Sequence, residues 1–185
     1  MNRRRESRKQ SRRIAVSGIL TALSVLLMLG GGLIPIATYA APMAAAVLLL
    51  PLIFEFGRVT ALTSYAAVSL VSLMLATDKE AALFYIFIGY YPILKWDLDR
   101  IHGKPLRALA KFLVFNLALG LMYALLCFVL HLDALTAEFA AMGPWLLIAF
   151  WAGLILCMFL YDRLLLPLSL LYWNRVRPRL RFLAG

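Results

Sequence analysis

The sequence predicts an all-α integral membrane protein, one bundle of six transmembrane helices with the N- and C-termini both cytoplasmic. Of its 185 residues, 64% are apolar and the mean hydropathy is +0.87, whereas soluble domains are nearer half apolar. The apolar residues come in runs long enough to cross about 30 Å of hydrocarbon as helix. Basic residues are concentrated on alternate connections between these runs, and this pattern fixes the direction of each span.

Glycine, proline and charged residues mark the boundaries of the spans. The Gly30–Gly32 triplet ends the first run, and Pro42 occupies a favourable first-turn position for the second, which should kink near Pro51. Gly57 turns the chain tightly into the third, and Pro92 follows the aromatic end of the fourth. The predicted spans cover about residues 14–29, 42–56, 59–76, 81–94, 106–130 and 144–161.

The charge distribution predicts which side each connection faces. Eighteen of the 19 Lys and Arg residues lie in four places: the N-terminal arm, Arg58, residues 95–111 around the fourth connection, and the C-terminal part from Arg163 onward. Only Lys79 lies elsewhere. Basic residues are retained on the cytoplasmic side of a membrane. The protein is therefore predicted to be a multi-pass protein of the cytoplasmic (inner) cell membrane. The net charge of +10 is interpreted as membrane anchoring, with no nucleic-acid partner.

The chain divides into three predicted parts. Residues 1–13 form a basic cytoplasmic arm, disordered or lying against anionic lipid. Residues 14–163 form the transmembrane domain, including an outer loop over residues 131–143. Residues 164–185 form an amphipathic basic tail, which either extends the sixth helix past Pro167 or lies flat on the inner surface.

The motifs of common enzymes and cofactor sites are absent from the sequence. It contains no HExxH, GxSxG or P-loop pattern. Its two cysteines, Cys127 and Cys157, lie inside apolar runs, which predicts neither a zinc site nor a disulfide. We therefore expect no catalytic residues, metal or cofactor, and any ATP-driven step would need another chain.

Small residues line one face of the first span. Ser17, Gly18, Thr21 and Ala22 recur at helical spacing, with Gly18-x-x-x-Ala22 at the centre. Small-xxx-small patterns let a second helix approach closely, so dispersion and weak hydrogen bonds replace the hydrophobic effect. This face either packs within the bundle or docks onto a partner subunit.

Length, topology and this face together resemble the substrate-binding S components of energy-coupling factor (ECF) transporters. In that family a small-residue patch of the first helix docks onto a coupling transmembrane subunit, which works with ATPase subunits. Here the patch reads Gly18-Ile19-Leu20-Thr21-Ala22, with glycine at the first position. The resemblance implies a membrane subunit that binds a small solute for uptake. The sequence contains no signature that identifies the solute.

Candidate solute-binding residues are polar or aromatic side chains near the predicted outer surface. Aromatic rings stack on flat ligands, phenol hydroxyls offer hydrogen bonds and carboxylates favour a cation. Solvated loop residues and interfacial tyrosines give the same pattern, and that alternative stays open for each. The candidates are Tyr39, Asp78, Glu80, Tyr85, Tyr123 and Trp145, with His131 beside them.

Ionisable residues are predicted to lie at the inner edge and not at mid-membrane. Glu55 with Arg58 and Lys95 with Asp99 have i,i+3 and i,i+4 spacing, which permits pairing if the helices continue there. Asp162 cannot face the adjacent Arg163 on a helix and should bond to neighbours on other elements. Asn116 is predicted to make an interhelical hydrogen bond.

Two other classes of function remain open. A non-transporting membrane scaffold or assembly protein, similar to the MreD-like cell-shape proteins, could use the same small-residue face to hold a different partner. A membrane enzyme or lipid-handling protein is the third possibility. Recovery of an ATPase pair with a coupling subunit favours transport, whereas recovery of cell-wall machinery favours the scaffold.

Overall fold

In a computed structural model the described residues, 2–32, 37–129 and 143–179, are all-helical. Two π-helical segments, Leu125–Val129 and Tyr172–Val176, each extend a long α-helix, and a last helical turn covers Arg177–Arg179. Residues 131–142 of the predicted outer loop lie outside the described residues. The α-helices in chain order are α1 (Asn2–Gly31), α2 (Ala40–Val47), α3 (Leu50–Phe56), α4 (Arg58–Leu75), α5 (Lys79–Ile88), α6 (Tyr91–Leu98), α7 (Lys104–Ala124) and α8 (Pro144–Leu171).

Four helical stretches of the described residues are long and apolar enough to cross a membrane: Gln10–Gly31, Arg58–Leu75, Lys104–Cys127 and Pro144–Val176. The prediction of an all-α membrane protein is confirmed at this level. The second predicted span is built from α2 and α3, a shorter apolar stretch over Ala40–Phe56. The fourth is built from α5 and α6, which are separated by a turn at residues 89–90.

The basic arm from residue 2 and the C-terminal tail as far as residue 179 are both helical. α1 begins at Asn2, so the basic arm continues directly into the first span; Arg, Lys, Glu and Gln are good helix formers, and the arm has neither Gly nor Pro. α8 runs through Pro167, and helical structure continues as far as residue 179. The Ser169 hydroxyl donates to the Leu165 carbonyl at 2.7 Å, one turn back on the same helix.

The chain forms two compact units, Met1–Leu94 with Leu165–Gly185, and Lys95–Leu164. In the first unit α1 packs on α2 and α4, and α5 packs on α2 and α4. The buried Ser24 hydroxyl donates to the Ala45 carbonyl at 3.1 Å, which ties α1 to α2. The small side chains of α2 let the neighbouring helices approach closely, and larger side chains from those helices fill the core. The core cluster consists of Met28, Ala45, Ala46, Val68, Ala81 and Tyr85.

Two glycines of the first unit meet specific geometric demands. Gly57, between α3 and α4, has a φ of +83°, a left-handed conformation that only glycine adopts readily. Gly31, at the end of α1, lies so close to α2 that a Cβ added there would be 2.1 Å from the Cβ of Ala41. That approach leaves no room for a side chain.

The second unit is built on the packing of α7 against the first part of α8. Phe115 of α7 meets Phe159 of α8 edge to face, with ring centroids 5.4 Å apart. The buried faces have the helical spacing of three and four residues. They consist of Lys111, Phe115, Ala118, Leu119 and Met122 on α7, and of Leu154, Met158, Tyr161 and Asp162 on α8.

Candidate functional sites at the ends of the helices

Three of the predicted solute-binding residues lie together at the predicted outer end of the first unit. The Tyr39 hydroxyl donates to Glu80 Oε1 at 2.6 Å, and the Tyr39 ring meets the Phe84 ring edge to face at 5.1 Å. The Thr38 hydroxyl donates to Asp78 Oδ2 at 2.8 Å. These contacts join the segment before α2 to the start of α5, and we call the group of Thr38, Tyr39, Asp78, Glu80 and Phe84 the outer cluster.

Asp78 also has a structural role. It is the N-cap of α5, and its Oδ1 accepts a hydrogen bond from the Ala81 backbone N–H at 3.0 Å. An N-cap aspartate satisfies a backbone donor that the helix leaves open and is stabilising by about 1 kcal/mol. Glu80 lies in the same first turn, where a carboxylate interacts favourably with the helix dipole. Capping by Asp78 and the helix-dipole interaction of Glu80 therefore account for both carboxylates in the absence of a solute.

Tyr85 lies inside the core cluster, below the outer cluster on the same helix. Its exposed fraction is 0%, and its ring is 5.7 Å from that of Tyr65, whose hydroxyl donates to the Ile86 carbonyl. Among the described atoms the Tyr85 hydroxyl has no hydrogen-bond partner. A buried hydroxyl left in this state is destabilising by roughly 1–3 kcal/mol. Tyr85 is thus a sealed polar group and does not line an open surface.

Tyr123 and Trp145, the remaining candidates, belong to the second unit. Tyr123 is buried and contacts the rings of Phe150 and Trp151, with centroids 6.3 and 5.9 Å away. Trp145, in the first turn of α8, is 82% exposed. Such an exposed indole is typical of a membrane–water interface. The loop residue His131 lies outside the described part of the chain.

The small-residue face of α1 is open at its centre. Gly18 and Ala22 are exposed, and a Cβ added to Gly18 would meet no atom within 4 Å. Ser17 and Thr21 at its edge are half-buried, and the Ser17 hydroxyl donates to the Ile14 carbonyl at 3.1 Å. The adjacent Ile19 is 67% exposed. Packing of Gly18 within this chain, one of the two readings of the motif, is not observed among the described residues.

A group of four charges, three of them buried, connects the helices of the second unit; we call Lys95, Asp99, Lys111 and Asp162 the ion cluster. Lys111 Nζ donates to Asp99 Oδ1 at 2.6 Å and to both oxygens of Asp162 at 3.0 and 2.8 Å. Lys95 Nζ donates to Asp162 Oδ1 at 2.6 Å and lies 3.1 Å from Asp99 Oδ2. The predicted i,i+4 pairing of Lys95 with Asp99 is confirmed, as is the bonding of Asp162 to neighbours.

The charges of the ion cluster balance, because two ammonium groups face two carboxylates. Lys95, Lys111 and Asp162 are 5–6% exposed, while the Asp99 side chain is 30% exposed. Asp99 follows α6 and lies outside the stretches that can cross a membrane. Burial acts to raise the pKa of its carboxyl, but the hydrogen bonds from Lys111 and Lys95 outweigh burial and hold the pKa below its ordinary value. The Asp99 carboxyl thus stays ionised at neutral pH. The hydrogen bonds of the cluster link α6, α7 and α8.

Sequence reasoning missed Lys111 and gave Asp162 no partner, although the signal is in the helix periodicity. Lys111 comes four residues before Phe115 on the buried face of α7, and Asp162 comes four after Met158 on that of α8. A charge on the buried stripe of each of two helices predicts a pair. Asn116 behaves as predicted: its Oδ1 accepts from Trp151 Nε1 at 3.0 Å, between α7 and α8.

A third polar group lies in the first unit, where Glu55 at the end of α3 meets the C-terminal segment. Glu55 Oε1 accepts from Arg177 Nε at 2.8 Å and from the Tyr172 hydroxyl at 3.2 Å. The condition for the predicted Glu55–Arg58 pairing, a continuous helix, is not met, because α3 ends at Phe56 and Gly57 turns the chain. The Arg177 guanidinium also lies 3.8 Å from the ring centre of Trp173, a cation–π contact.

Metal-binding chemistry has no support in the described ranges, where no three His, Cys, Asp or Glu side chains are grouped to hold an ion. Cys127 and Cys157 are free and half-buried. Comparison of the chain with protein-family models, with curated proteins and with solved structures gave no match in any of the three.

Proposed function

We propose that this chain is the small-solute-binding membrane subunit of an uptake transporter of the ECF type, inserted in the inner membrane as six spans with both termini cytoplasmic. The α2–α3 and α5–α6 stretches would supply the two spans beyond the four long ones. The distribution of Lys and Arg supports this orientation. In this orientation the outer cluster faces the solution from which a solute is taken up.

The observation that carries the proposal is the open face around Gly18 and Ala22. Both residues are exposed on a helix that can span the membrane, and Gly18 leaves room for a partner backbone. Close approach of a second helix would gain dispersion contacts there that a larger side chain prevents. This face would dock onto a coupling subunit, while Tyr39 and Glu80 would contact the solute.

One observation favours the scaffold alternative. Each carboxylate of the outer cluster already accepts a hydrogen bond from a hydroxyl of the same unit, Asp78 from Thr38 and Glu80 from Tyr39. A solute must displace or join these bonds, whereas a scaffold needs only their structural role. The scaffold would use the same α1 face with a different partner.

The test compares affinity purification of the tagged full chain from native membranes with that of the double variant Gly18→Leu with Ala22→Leu. We expect an ATPase pair and a coupling membrane subunit with the wild type, and at least tenfold less of them with the variant. The matched control is Ala149→Leu with Gly153→Leu on α8, which has the same spacing and exposure. Unchanged recovery from the α1 variant contradicts docking through this face, and recovery of cell-wall machinery supports the scaffold.

A further inference from the structure

A cavity of about 460 Å³ opens in the first unit between α1, the α2–α3 stretch and the end of α8. Its volume falls within the range of about 300–1,000 Å³ typical of small-molecule pockets. Eleven of its 15 lining residues are aliphatic, proline or phenylalanine, and the other four are Arg12, Glu55, Tyr172 and Arg177. The outer cluster contributes no side chain to these walls.

The polar side chains gather at one end of the cavity. Arg177 and Tyr172 both bond to Glu55, and Arg12 lines the same cavity from α1. From each of these residues the apolar lining continues along the helix away from the charges. These apolar residues include Val16 and Leu20 on α1, Leu48 and Leu50 on α2–α3, and Leu168 and Leu171 on α8.

The charge at the polar end is unbalanced, since two guanidinium groups face one carboxylate. Glu55 is engaged by Arg177, whereas Arg12 Nε is buried and has no hydrogen-bond partner anywhere in residues 2–32, 37–129 or 143–179. A buried cationic donor without an acceptor is unfavourable. An anionic oxygen placed beside it would accept this hydrogen bond and compensate the excess charge.

We infer that this cavity binds one anionic phospholipid of the surrounding membrane. One acyl chain would occupy the apolar part, and the phosphate would accept from Arg12 beside Arg177. A long apolar part that ends at a cationic group matches an amphiphile and not a free polar solute. In the proposed orientation this end faces the cytoplasmic leaflet, which is rich in anionic lipid. The inference concerns a second ligand, separate from any transported solute.

The test is a titration of the purified full chain in detergent by native mass spectrometry, with phosphatidylglycerol and phosphatidylcholine of identical acyl chains. We expect one phosphatidylglycerol per chain, bound about tenfold more tightly than phosphatidylcholine, because the choline cation cancels the phosphate charge that would otherwise compensate the excess arginine charge. Inorganic phosphate should not displace the lipid. Equal binding of the two lipids, or displacement by phosphate, contradicts the inference.

A pair of neighbouring arginines separates a built site from general attraction to the basic arm. Arg12→Gln should weaken phosphatidylglycerol binding about tenfold, whereas Arg13→Gln, which removes the same charge from an exposed position outside the cavity, should change it less than twofold. Arg12→Lys retains the charge and should restore part of the loss. Equal effects of the two Gln variants would assign binding to the arm as a whole.

A second pair tests the apolar part of the cavity. Val16→Phe places a ring inside the lining and should lower the binding of both lipids severalfold, while Ala15→Phe adds the same ring on the exposed side of α1 and should leave it unchanged. Elution as a single species and an unaltered Tm show that each variant is folded. Wild-type binding by a folded Val16→Phe variant contradicts an acyl chain in this cavity.

Discussion

The ion cluster and the polar end of the cavity solve the problem of charge among apolar helices in opposite ways. The ion cluster has equal numbers of cations and carboxylates, and both carboxylates contact both lysines. The polar end has two arginines for one glutamate and an adjoining cavity. Charge balance with contact throughout is what a fixed structural link requires, whereas excess charge beside a void is what a ligand site requires.

The largest expected effect is that of removing the Asp162 charge from the ion cluster. Asp162→Asn leaves Lys95 and Lys111 buried with only Asp99 to compensate them, and breaking such a pair destabilises by about 3–5 kcal/mol. The Tm in detergent, followed by tryptophan fluorescence, should fall by roughly 10 °C. The same change at Asp97, whose pair with Arg100 is exposed at 3.7 Å, should lower stability by no more than about 1 kcal/mol.

A compensating variant sharpens this prediction. Lys111→Met combined with Asp162→Leu removes one charge of each sign and leaves the Lys95–Asp99 pair at 3.1 Å. Because well-packed apolar side chains often replace a buried pair without loss, we expect more than half of the lost stability to return. If Asp162→Asn unfolds at the same temperature as Asp97→Asn, the ion cluster is not the link that its geometry implies.

At the cavity, removing a carboxylate should increase lipid affinity and have only a small effect on stability. Glu55→Gln keeps an acceptor for Arg177 and Tyr172 but removes the one carboxylate among the cavity-lining residues. The polar end becomes more cationic, so phosphatidylglycerol should bind about fivefold more tightly in the native mass spectrometry titration. Stability should fall by about 1 kcal/mol because the Glu55–Arg177 pair is partly exposed.

The exposed Glu6 of the arm provides the control for this experiment. Glu6→Gln makes the same change in net charge without touching the cavity. Equal gains in lipid affinity from Glu6→Gln and Glu55→Gln would show that net charge alone sets the affinity, and would contradict a specific site at the polar end of the cavity.

The smallest effect concerns the pH dependence of the ion cluster. The pKa of Asp99 lies below its ordinary value of 3.8, so its ion pairs stabilise the folded chain above pH 3.8, and this contribution is lost as the pH falls through the lowered pKa. The difference in unfolding free energy between wild type and Asp99→Asn should stay constant from pH 7 to about pH 5. Below about pH 5 it should shrink progressively as the pH passes through 3.8 and then through the lowered pKa. A difference that vanishes above pH 3.8 would contradict a lowered pKa.

Features set by neighbouring residues were predictable from the sequence. The glycines at 30–32 end α1 at Gly31, and Gly57 separates α3 from α4. The Lys95–Asp99 pair needs only a helical turn between its members, and it forms. The apolar runs place the four long helices for the same reason, since length and hydropathy are local properties.

Features that join distant segments were not predictable in the same way. The partners of Glu55 are 117 and 122 residues away, and Lys111 is 51 residues from Asp162. A transmembrane helix is apolar on the side that contacts lipid and on the side that contacts protein. Hydropathy therefore does not fix its rotation or show which of its residues face the neighbouring helix. The cavity beside Arg12 depends on the same rotations.

The contact of Gly31 with Ala41 limits how the first unit can rearrange. At the end of α1 the two backbones are nearer than any side chain would permit, and the Ser24–Ala45 hydrogen bond lies farther along the same seam. Sliding or rolling α1 over α2 would drive methyl groups into this seam. A motion that keeps this contact therefore moves the two helices together as one rigid body, with its pivot elsewhere in the unit.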